Sequence, residues 1–352
     1  MEIREQVALG PYTTLGVGGP ARFFAEAASE PDVRQAVEWA VERQLPLFIL
    51  GGGSNLVVSD SGWPGLVLKM SILGSNPLGA DNGREAVEYG AGEEWDRVVE
   101  QSVAANCAGM ECLSGIPGTV GGTPVQNVGA YGQDVSETIV RVRAFDLQSG
   151  ATVEFSNAEC EFAYRSSRFN SRDRGRYVIL AVTFAAHPGN PPRLDYADLK
   201  RYFETQPKEP TLSNVREAVR EIRHGKAMLL VEGDADARSA GSFFKNPVIP
   251  ADHYQSLSAI AESRGLTLPK YSAGEGRVKV PAAWLVEQAG FHKGFTFGTV
   301  GISSRHTLAL VNRGGATAAD VLALKDLVQK RVFDTFGVEL QPEPVFVGFD
   351  LS

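Results

Sequence analysis

The first third of the chain alternates apolar runs with stretches whose apolar residues have helical spacing. The helical pattern is clearest over Ser29–Gln44, where Asp32 follows Ser29 with the spacing of a capping box. The predicted buried stripe of this helix is Val33, Val37, Ala40 and Val41. Two apolar runs, Leu47–Leu50 and Gly65–Met70, predict strands. This alternation of helix and strand indicates an α/β fold.

The pattern of apolar and polar residues is different in the middle and in the last third of the chain. Apolar and charged residues alternate over Ile139–Asp146, which predicts a half-buried strand, and Tyr177–Ala185 predicts a more continuous apolar strand. In the last third, Thr317 and Asp320 can open a long helix that Gly337 can end. The predicted buried stripe of that helix is Val321, Leu324, Val328 and Val332.

Composition narrows the function classes. A chain of 352 residues predicts two or three domains, and the proline-rich stretch 187–193 is the best linker. A net charge of −8 without basic runs argues against nucleic-acid binding. No apolar run is long enough for a membrane helix, and the N-terminus lacks the pattern of a signal peptide, so we expect a cytoplasmic protein. Three cysteines without a CxxC pair argue against a disulfide framework.

Two glycine-rich loops are the strongest candidates for ligand binding. Gly51–Gly53 directly follows the Leu47–Leu50 strand, so its backbone amides can cradle a phosphate, with Ser54 and Asn55 adding side-chain hydrogen bonds. The densest loop, Ser114–Gly122, can wrap a flat ligand with polar edges. The chain has no P-loop motif, which disfavours a P-loop nucleotidase.

Other motifs favour simpler interpretations. Gly16–Ala21 matches a dinucleotide fingerprint, but the residues before it make a poor parallel strand, so we interpret it as a glycine turn. The five histidines lack metal-ligand spacing, so we expect no metal site and interpret each histidine as a surface or capping residue. Arg165 could hold a carboxylate. Ser242 stands between a glycine and two phenylalanines, where an apolar cleft could expose it.

Taken together, these segments resemble one flavoenzyme family, the UDP-N-acetylenolpyruvoylglucosamine reductases (MurB) of peptidoglycan precursor synthesis. The matching segments occur in the family's order and span nearly the whole chain. They are Thr13–Gly19, Leu50–Asn55, Gly115–Gly122, Gln126–Gly132, Tyr164–Phe169, Gly241–Pro247 and Pro342-Glu343. A tyrosine loop, Leu194–Leu199, resembles the enterobacterial type of the family.

The resemblance implies an α/β and α+β fold with a vanillyl-alcohol-oxidase-type FAD-binding domain of two lobes and a C-terminal α/β substrate domain. The implied bounds are 1–190 for the FAD domain (lobes 1–75 and 76–190), 191–225 for a connecting segment, 226–340 for the substrate domain and 341–352 for a C-terminal segment. The implied FAD-binding residues are Gly51, Gly52, Gly53, Ser54, Asn55, Ser114, Gly115, Ile116, Pro117, Gly118, Thr119, Gly121, Gly122, Gln126, Asn127, Gly129, Ala130 and Tyr131. We expect non-covalent FAD, because these loops contain no His or Cys.

The resemblance also implies the chemistry. NADPH reduces FAD, and the reduced flavin then gives hydride to the enolpyruvyl sugar nucleotide, which becomes UDP-N-acetylmuramate. Ser242 looks like the proton donor, and Arg165 and Glu343 look like the pair that stabilises the enolic intermediate. The residues that resemble substrate or nicotinamide-nucleotide contacts are Tyr164, Tyr196, Lys226 and Asn246.

One position departs from the related enterobacterial sequences, and two other functions stay open. Val345 stands where those sequences carry an arginine, which puts a second carboxylate-binding cation in doubt.

The chain could also be another FAD oxidoreductase of the same fold, or a non-catalytic protein that binds flavin or a sugar nucleotide. The presence of Arg165, Ser242 and Glu343 argues against both.

Overall fold

The computed structural model describes residues 1–204 and 209–349. Helices and strands alternate through most of the chain. The α-helices are α1 (Glu30–Glu42), α2 (Trp95–Ala104), α3 (Ala197–Phe203), α4 (Leu212–Gly225), α5 (Ala251–Ser263), α6 (Ala282–Gln288) and α7 (Ala318–Phe336).

The strands are mostly short. They are β1 (Ile3–Ala8), β2 (Pro20–Ala27), β3 (Leu47–Leu50), β4 (Leu56–Val58), β5 (Trp63–Met70), β6 (Ser75–Asp81), β7 (Arg84–Gly90), β8 (Cys107–Ala108), β9 (Gly129–Ala130), β10 (Gln133–Asp134), β11 (Ile139–Asp146), β12 (Thr152–Ser156), β13 (Tyr177–Pro188), β14 (Val248–Pro250), β15 (Tyr271–Ser272), β16 (Arg277–Lys279), β17 (Thr296–Phe297), β18 (Val300–Ile302), β19 (Leu310–Asn312) and β20 (Val345–Val347).

The chain forms two compact units, and neither is continuous in sequence. The first unit contains residues 1–7, 21–53 and 63–230, and the second contains 8–20, 54–62 and 231 to the C-terminus. Each unit buries a hydrophobic core of its own. The segment 1–190 therefore contributes residues to both units.

The first unit begins with a small sheet whose strand order is β1-β2-β5-β3, and β2, β5 and β3 are parallel. Helix α1 packs on β5 and is capped as the sequence predicts, because Ser29 Oγ accepts the Asp32 amide at 3.3 Å. Its buried residues are Val33, Ala36, Val37 and Ala40. The prediction for Val41 is wrong: it is 68% exposed, because it lies at the edge of the buried face, in the last turn of the helix.

The second sheet of this unit is antiparallel, with the order β12-β11-β13-β7-β6. The predicted strands 139–146 and 177–185 are confirmed as β11 and β13. Strand β13 is longer than predicted, because His187 and Pro188 pair with Ala108 and Cys107 on β8. The ordered strand thus extends two residues into the stretch that composition predicts to be a linker.

In the second unit, one short antiparallel sheet packs against α5 and another against α7, and β4 pairs in parallel with β20. The predicted helix after Thr317 is confirmed as α7, with a Thr317–Asp320 capping box and Gly337 in the left-handed C-cap conformation. Its whole predicted stripe is buried. Gly16–Ala21 leads into strand β2 rather than a helix, which confirms that it is not a dinucleotide fingerprint.

Candidate active site

The two predicted ligand loops lie against each other in the first unit. Strand β3 ends at Leu50, so Gly51–Gly53 leaves the edge of the parallel sheet. A Cβ atom on Gly52 would stand 2.5 Å from the Gly118 Cα, so a side chain at residue 52 would separate the loops. A Cβ atom on Gly51 would stand 3.0 Å from Thr119 Oγ1. Ser54 and Asn55, predicted to act with these glycines, belong to the second unit.

The Thr119 hydroxyl gives a direct test of whether this region suits a bound cofactor. Its Oγ1 atom is buried and has no hydrogen-bond partner in the structure. A buried polar atom without a partner costs free energy, and a ligand that bonds to it recovers that cost. Closely approaching glycine backbones beside such a hydroxyl fit the phosphate-bearing FAD that the sequence predicts.

Both backbone groups of Gly115 are held by charged side chains. The Gly115 amide donates to Asp96 Oδ1 at 2.6 Å, and the Gly115 carbonyl accepts from Arg223 Nε at 3.1 Å. Asp96 lies on α2 and Arg223 on α4, so two helices fix the start of the loop. Arg223 also donates to the Met228 carbonyl at 2.6 Å. Sequence reasoning missed both residues, because no local motif marks them.

Asp96 is also the centre of a half-buried ionic cluster. Arg216 donates to its two oxygens at 2.6 and 3.1 Å, and Arg220 also donates to Oδ2. Burial raises the pKa of Asp96, but the hydrogen bonds from Arg216 and Gly115 and the nearby arginine charges outweigh it, so the pKa lies below its ordinary value. Asp96 is therefore a carboxylate at neutral pH.

Residues 126–131 form the other part of the predicted flavin site. Asn127 adopts a left-handed conformation (φ 47°). Its side chain links this segment to two others, because it donates to the Ala163 carbonyl and accepts from the Ser136 amide, both at 3.1 Å. Gly129 has no room for a side chain, because a Cβ atom would lie 1.6 Å from Asp134 Oδ1.

Arg165, the predicted carboxylate-binding cation, lies beside this segment. Its Nη2 donates to the Gly129 carbonyl at 2.7 Å, and its Nη1 lies 4.0 Å from Asp134 Oδ1. The Arg165 backbone is left-handed (φ 52°). Its guanidinium also stacks near the ring of Tyr164, which is 46% exposed. The structure thus brings Arg165 and Tyr164 to the predicted cofactor loop.

Three predicted residues from distant parts of the first unit meet in an aromatic–cationic cluster. The rings of Tyr131 and Tyr196 pack edge to face with centroids 5.4 Å apart, and Lys226 Nζ lies 5.8 Å from the Tyr131 ring centre. Lys226 also pairs with Asp198 at 2.5 Å. Burial raises the pKa of Tyr131 above its ordinary value, so its hydroxyl stays protonated. The cluster offers a cation and two rings to a ligand.

In the second unit, backbone pairing brings Ser242 and Glu343 together. Residues 243–245 lie between two other segments. The Phe243 amide donates to the Leu308 carbonyl at 2.8 Å, and the Phe243 carbonyl accepts from the Glu343 amide at 2.9 Å. Phe243 itself is fully buried. Asn55 Nδ2 donates to the Glu343 carbonyl at 3.3 Å. Ser242, Glu343 and Asn55 are therefore neighbours, although they are far apart in sequence.

A histidine contacts Ser242 directly. Ser242 Oγ lies 3.2 Å from His306 Nε2, and both residues are half-buried. The prediction that every histidine is only a surface or capping residue is wrong for His306. The two residues are 64 positions apart, so no sequence spacing could reveal the contact.

Some predicted site residues use their side chains within the protein. Ser114 Oγ donates to the Glu111 carbonyl at 2.7 Å, and Asn246 Oδ1 accepts the Ala282 amide at the start of α6 at 2.9 Å. Val345 lies on β20 and is 38% exposed. Among residues 1–204 and 209–349, no group of three His, Cys, Asp or Glu side chains could hold a metal ion. In the same part of the chain, no helix is both long and apolar enough to span a membrane.

Comparison with known proteins first defines the class. Residues 21–156 match the family model described as "FAD binding domain", and residues 233–347 match "UDP-N-acetylenolpyruvoylglucosamine reductase, C-terminal domain". The predicted fold class, an FAD-binding domain together with a C-terminal domain of mixed helix and strand, is confirmed.

Proteins that are similar to this chain over nearly its whole length define the family. The chain is 47% identical to the UDP-N-acetylenolpyruvoylglucosamine reductase of Thermobifida fusca over 98% of each sequence. It is 45% identical to that of Streptomyces coelicolor, over 97% of this chain and 90% of the relative. The crystal structure of the Thermus caldophilus enzyme superposes with a TM-score of 0.68 at 25% identity, covering 98% of this chain and 100% of that one. The chain belongs to the UDP-N-acetylenolpyruvoylglucosamine reductase family and is an FAD-dependent oxidoreductase.

Proposed function

We propose that the protein reduces UDP-N-acetylglucosamine enolpyruvate to UDP-N-acetylmuramate at the expense of NADPH. The observation that carries this proposal is the pairing of the Ser242 segment with the Glu343 segment in the second unit. It brings together the two segments that carry the Ser242 hydroxyl and the Glu343 carboxyl group, and groups of this kind are what a proton-transfer reaction requires. Relatives that carry the name of this activity support the choice of substrate.

The overall reaction adds one hydride and one proton across the vinyl double bond. FAD held by the loops Gly51–Gly53 and Ser114–Gly122 would supply the redox chemistry that carries a hydride from NADPH to the terminal vinyl carbon. Ser242 gives its hydroxyl proton to the carbon next to the carboxylate. Arg165 stabilises the negative charge that grows on that carboxylate, and Glu343 assists by hydrogen bonding.

The remaining predicted residues bind rather than react. Lys226 suits the diphosphate as a point charge, and Tyr196 lies close enough to Lys226 and Tyr131 to hold the same nucleotide portion. Asn246 keeps its amide nitrogen for a ligand while its oxygen caps α6. We assign FAD binding to 1–190 and substrate binding to 226–340. We also place the reaction in the cytoplasm, where the free thiols of all three cysteines persist.

One assay separates this function from the two alternatives. NADPH oxidation by the purified holoprotein is followed anaerobically with and without the enolpyruvyl sugar nucleotide, and the product is identified by mass. We expect oxidation only with the sugar nucleotide and a product two hydrogens heavier. Oxidation of an alcohol or hydroxy acid instead would favour another FAD oxidoreductase, and no turnover with any of them would favour a binding protein.

A further inference from the structure

His306 is a titratable side chain that the proposed reaction does not yet use. Its Nε2 atom lies 3.2 Å from Ser242 Oγ, within hydrogen-bonding distance. The contact joins two loops of the second unit, residues 239–245 and 303–309. Because His306 contacts the hydroxyl proposed to react, it can determine the direction of the Ser242 O–H bond.

The backbone holds both partners in place. The His306 loop closes on itself, because the Ser303 amide donates to the Ala309 carbonyl at 2.9 Å and the Ala309 amide donates to the His306 carbonyl at 3.1 Å. The Phe243 amide donates to the Leu308 carbonyl at 2.8 Å, which ties the Ser242 segment to the same loop. The imidazole therefore meets the hydroxyl in a fixed geometry.

A buried carboxylate secures the loop from its other side. Asp236, which is 4% exposed, accepts the Ser303 hydroxyl at 3.0 Å and the Ser304 amide at 2.9 Å. Arg305 pairs with Asp234 of the same segment. These contacts fix the residues immediately before His306, so the ring position does not depend on the Ser242 contact alone.

A serine hydroxyl has one proton, and the direction of the hydrogen bond decides its use. If Nε2 accepted, the hydroxyl proton would point at the imidazole and away from the substrate. If Nε2–H donates, the hydroxyl proton stays free for the substrate carbon, and the donor stabilises the oxygen left behind. A serine hydroxyl is a weak acid, so such stabilisation is what proton donation from Ser242 requires.

We propose that His306 is the positioning residue of the proton donor: its Nε2–H donates to Ser242 Oγ, aims the serine proton at the substrate and stabilises the developing alkoxide. This inference rests on the proposed function. The proton balance is closed: the Ser242 O–H bond breaks, a C–H bond forms, the Nε2–H of His306 holds the resulting alkoxide by a hydrogen bond, and a proton from solvent restores the Ser242 hydroxyl. No electrons move in this step.

The test compares His306→Leu, which removes the donor, with His306→Gln, which keeps an N–H donor. His292→Leu is the matched control, because His292 is exposed and its ring contacts the Lys293 carbonyl and the Phe295 ring rather than Ser242. Anaerobic stopped flow measures two steps in each FAD-loaded protein: flavin bleaching by NADPH, and recovery of flavin absorbance on mixing with the enolpyruvyl sugar nucleotide. Thermal midpoints are measured in parallel.

We expect bleaching near the wild-type rate in every variant. Recovery should slow about 10²-fold in His306→Leu, the usual effect of removing one donor to a developing oxyanion, and should lie much closer to wild type in His306→Gln. His292→Leu should match wild type in both steps.

Equal slowing of both steps in His306→Leu, or a Gln variant as slow as the Leu variant, would overturn the proposal. Recovery at the wild-type rate in His306→Leu, with the wild type active, would reject the role of His306 and leave the proposed function intact. A wild type that the enolpyruvyl compound does not reoxidise would reject the proposed function itself. If His306→Leu purifies without flavin, His306→Glu replaces it as an acceptor-only variant, and recovery as fast as in His306→Gln overturns the donor role.

Discussion

Asp96→Asn tests how the protein holds its predicted flavin loop. The substitution keeps the side-chain shape but removes the charge that faces Arg216 and Arg220 and weakens the bond to the Gly115 amide. It replaces neither a glycine of the loop nor a residue proposed to contact substrate. Stability and FAD affinity should therefore change together.

The structure sets the size of both effects. Breaking a buried ion pair by removing one charge costs about 3–5 kcal/mol. Here the Asp96 side chain is 18% exposed and that of Arg220 is 39% exposed. Because solvent weakens such a pair, we expect the loss of unfolding free energy to lie at the low end of this range, about 3 kcal/mol. The Gly115 bond changes from charge-assisted to neutral, a difference of about 1 kcal/mol or slightly more, which corresponds to a Kd for FAD raised about tenfold.

The effect on stability should depend on pH. The folded-state pKa of Asp96 lies below its ordinary value of 3.8. The carboxylate therefore stabilises the fold fully above that value, and the contribution is lost as the pH falls through the lower, folded-state pKa. The stability difference between wild type and Asp96→Asn should thus be constant near neutrality and shrink in acid.

The assay combines urea unfolding of the apoprotein with spectroscopic titration of FAD. Asp146→Asn is the matched control: the Asp146 side chain is even more buried in the first unit, pairs with Arg176 at 2.8 and 3.1 Å, and contacts neither glycine loop among the described hydrogen bonds. We expect the control to lose stability and keep its FAD affinity. If both variants weaken FAD binding alike, or if Asp96→Asn leaves it unchanged, the reasoning about Gly115 fails.

Three further predictions concern single side chains. Ser242→Ala should keep flavin reduction by NADPH near wild type and slow reoxidation by the enolpyruvyl substrate by at least about 10²-fold; equal slowing of both steps in stopped flow would reject the proton-donor role. Lys226→Ala should raise KM for the sugar nucleotide more than it lowers kcat, because a point charge near a diphosphate binds ground and transition states alike; steady-state kinetics with a large kcat loss at unchanged KM would contradict this. Burial raises the pKa of Cys160 to about 12 and also raises that of Cys112, so both thiols should resist alkylation in the native protein and react after unfolding; rapid native labelling, detected by mass, would count against their burial.

The sequence predicts well those features whose causes are local. Helix α7 follows from a capping box at Thr317, an apolar stripe and a glycine at 337, all within one segment. The glycine loop after Leu50 follows from its position at the end of an apolar strand. Val41 is the exception, because helical spacing alone does not show where a stripe ends near a terminus.

The features that the sequence does not predict depend on contacts across long separations. Residues 8–20 and 54–62 join the second unit, although they lie within the N-terminal third of the chain. The bond of Asp96 to Gly115 and the contact of His306 to Ser242 likewise depend on how distant segments pack. Nothing in the local pattern around Asp96 or His306 distinguishes them from ordinary surface residues.

The most direct test of the central claim is a single anaerobic reoxidation experiment on the wild-type holoprotein. NADPH is added in stoichiometric amount until the flavin is bleached, and the enolpyruvyl sugar nucleotide is then mixed in without oxygen. The account predicts rapid recovery of the flavin absorbance and one equivalent of UDP-N-acetylmuramate for each flavin. A flavin that stays bleached, or that recovers without forming this product, would contradict it.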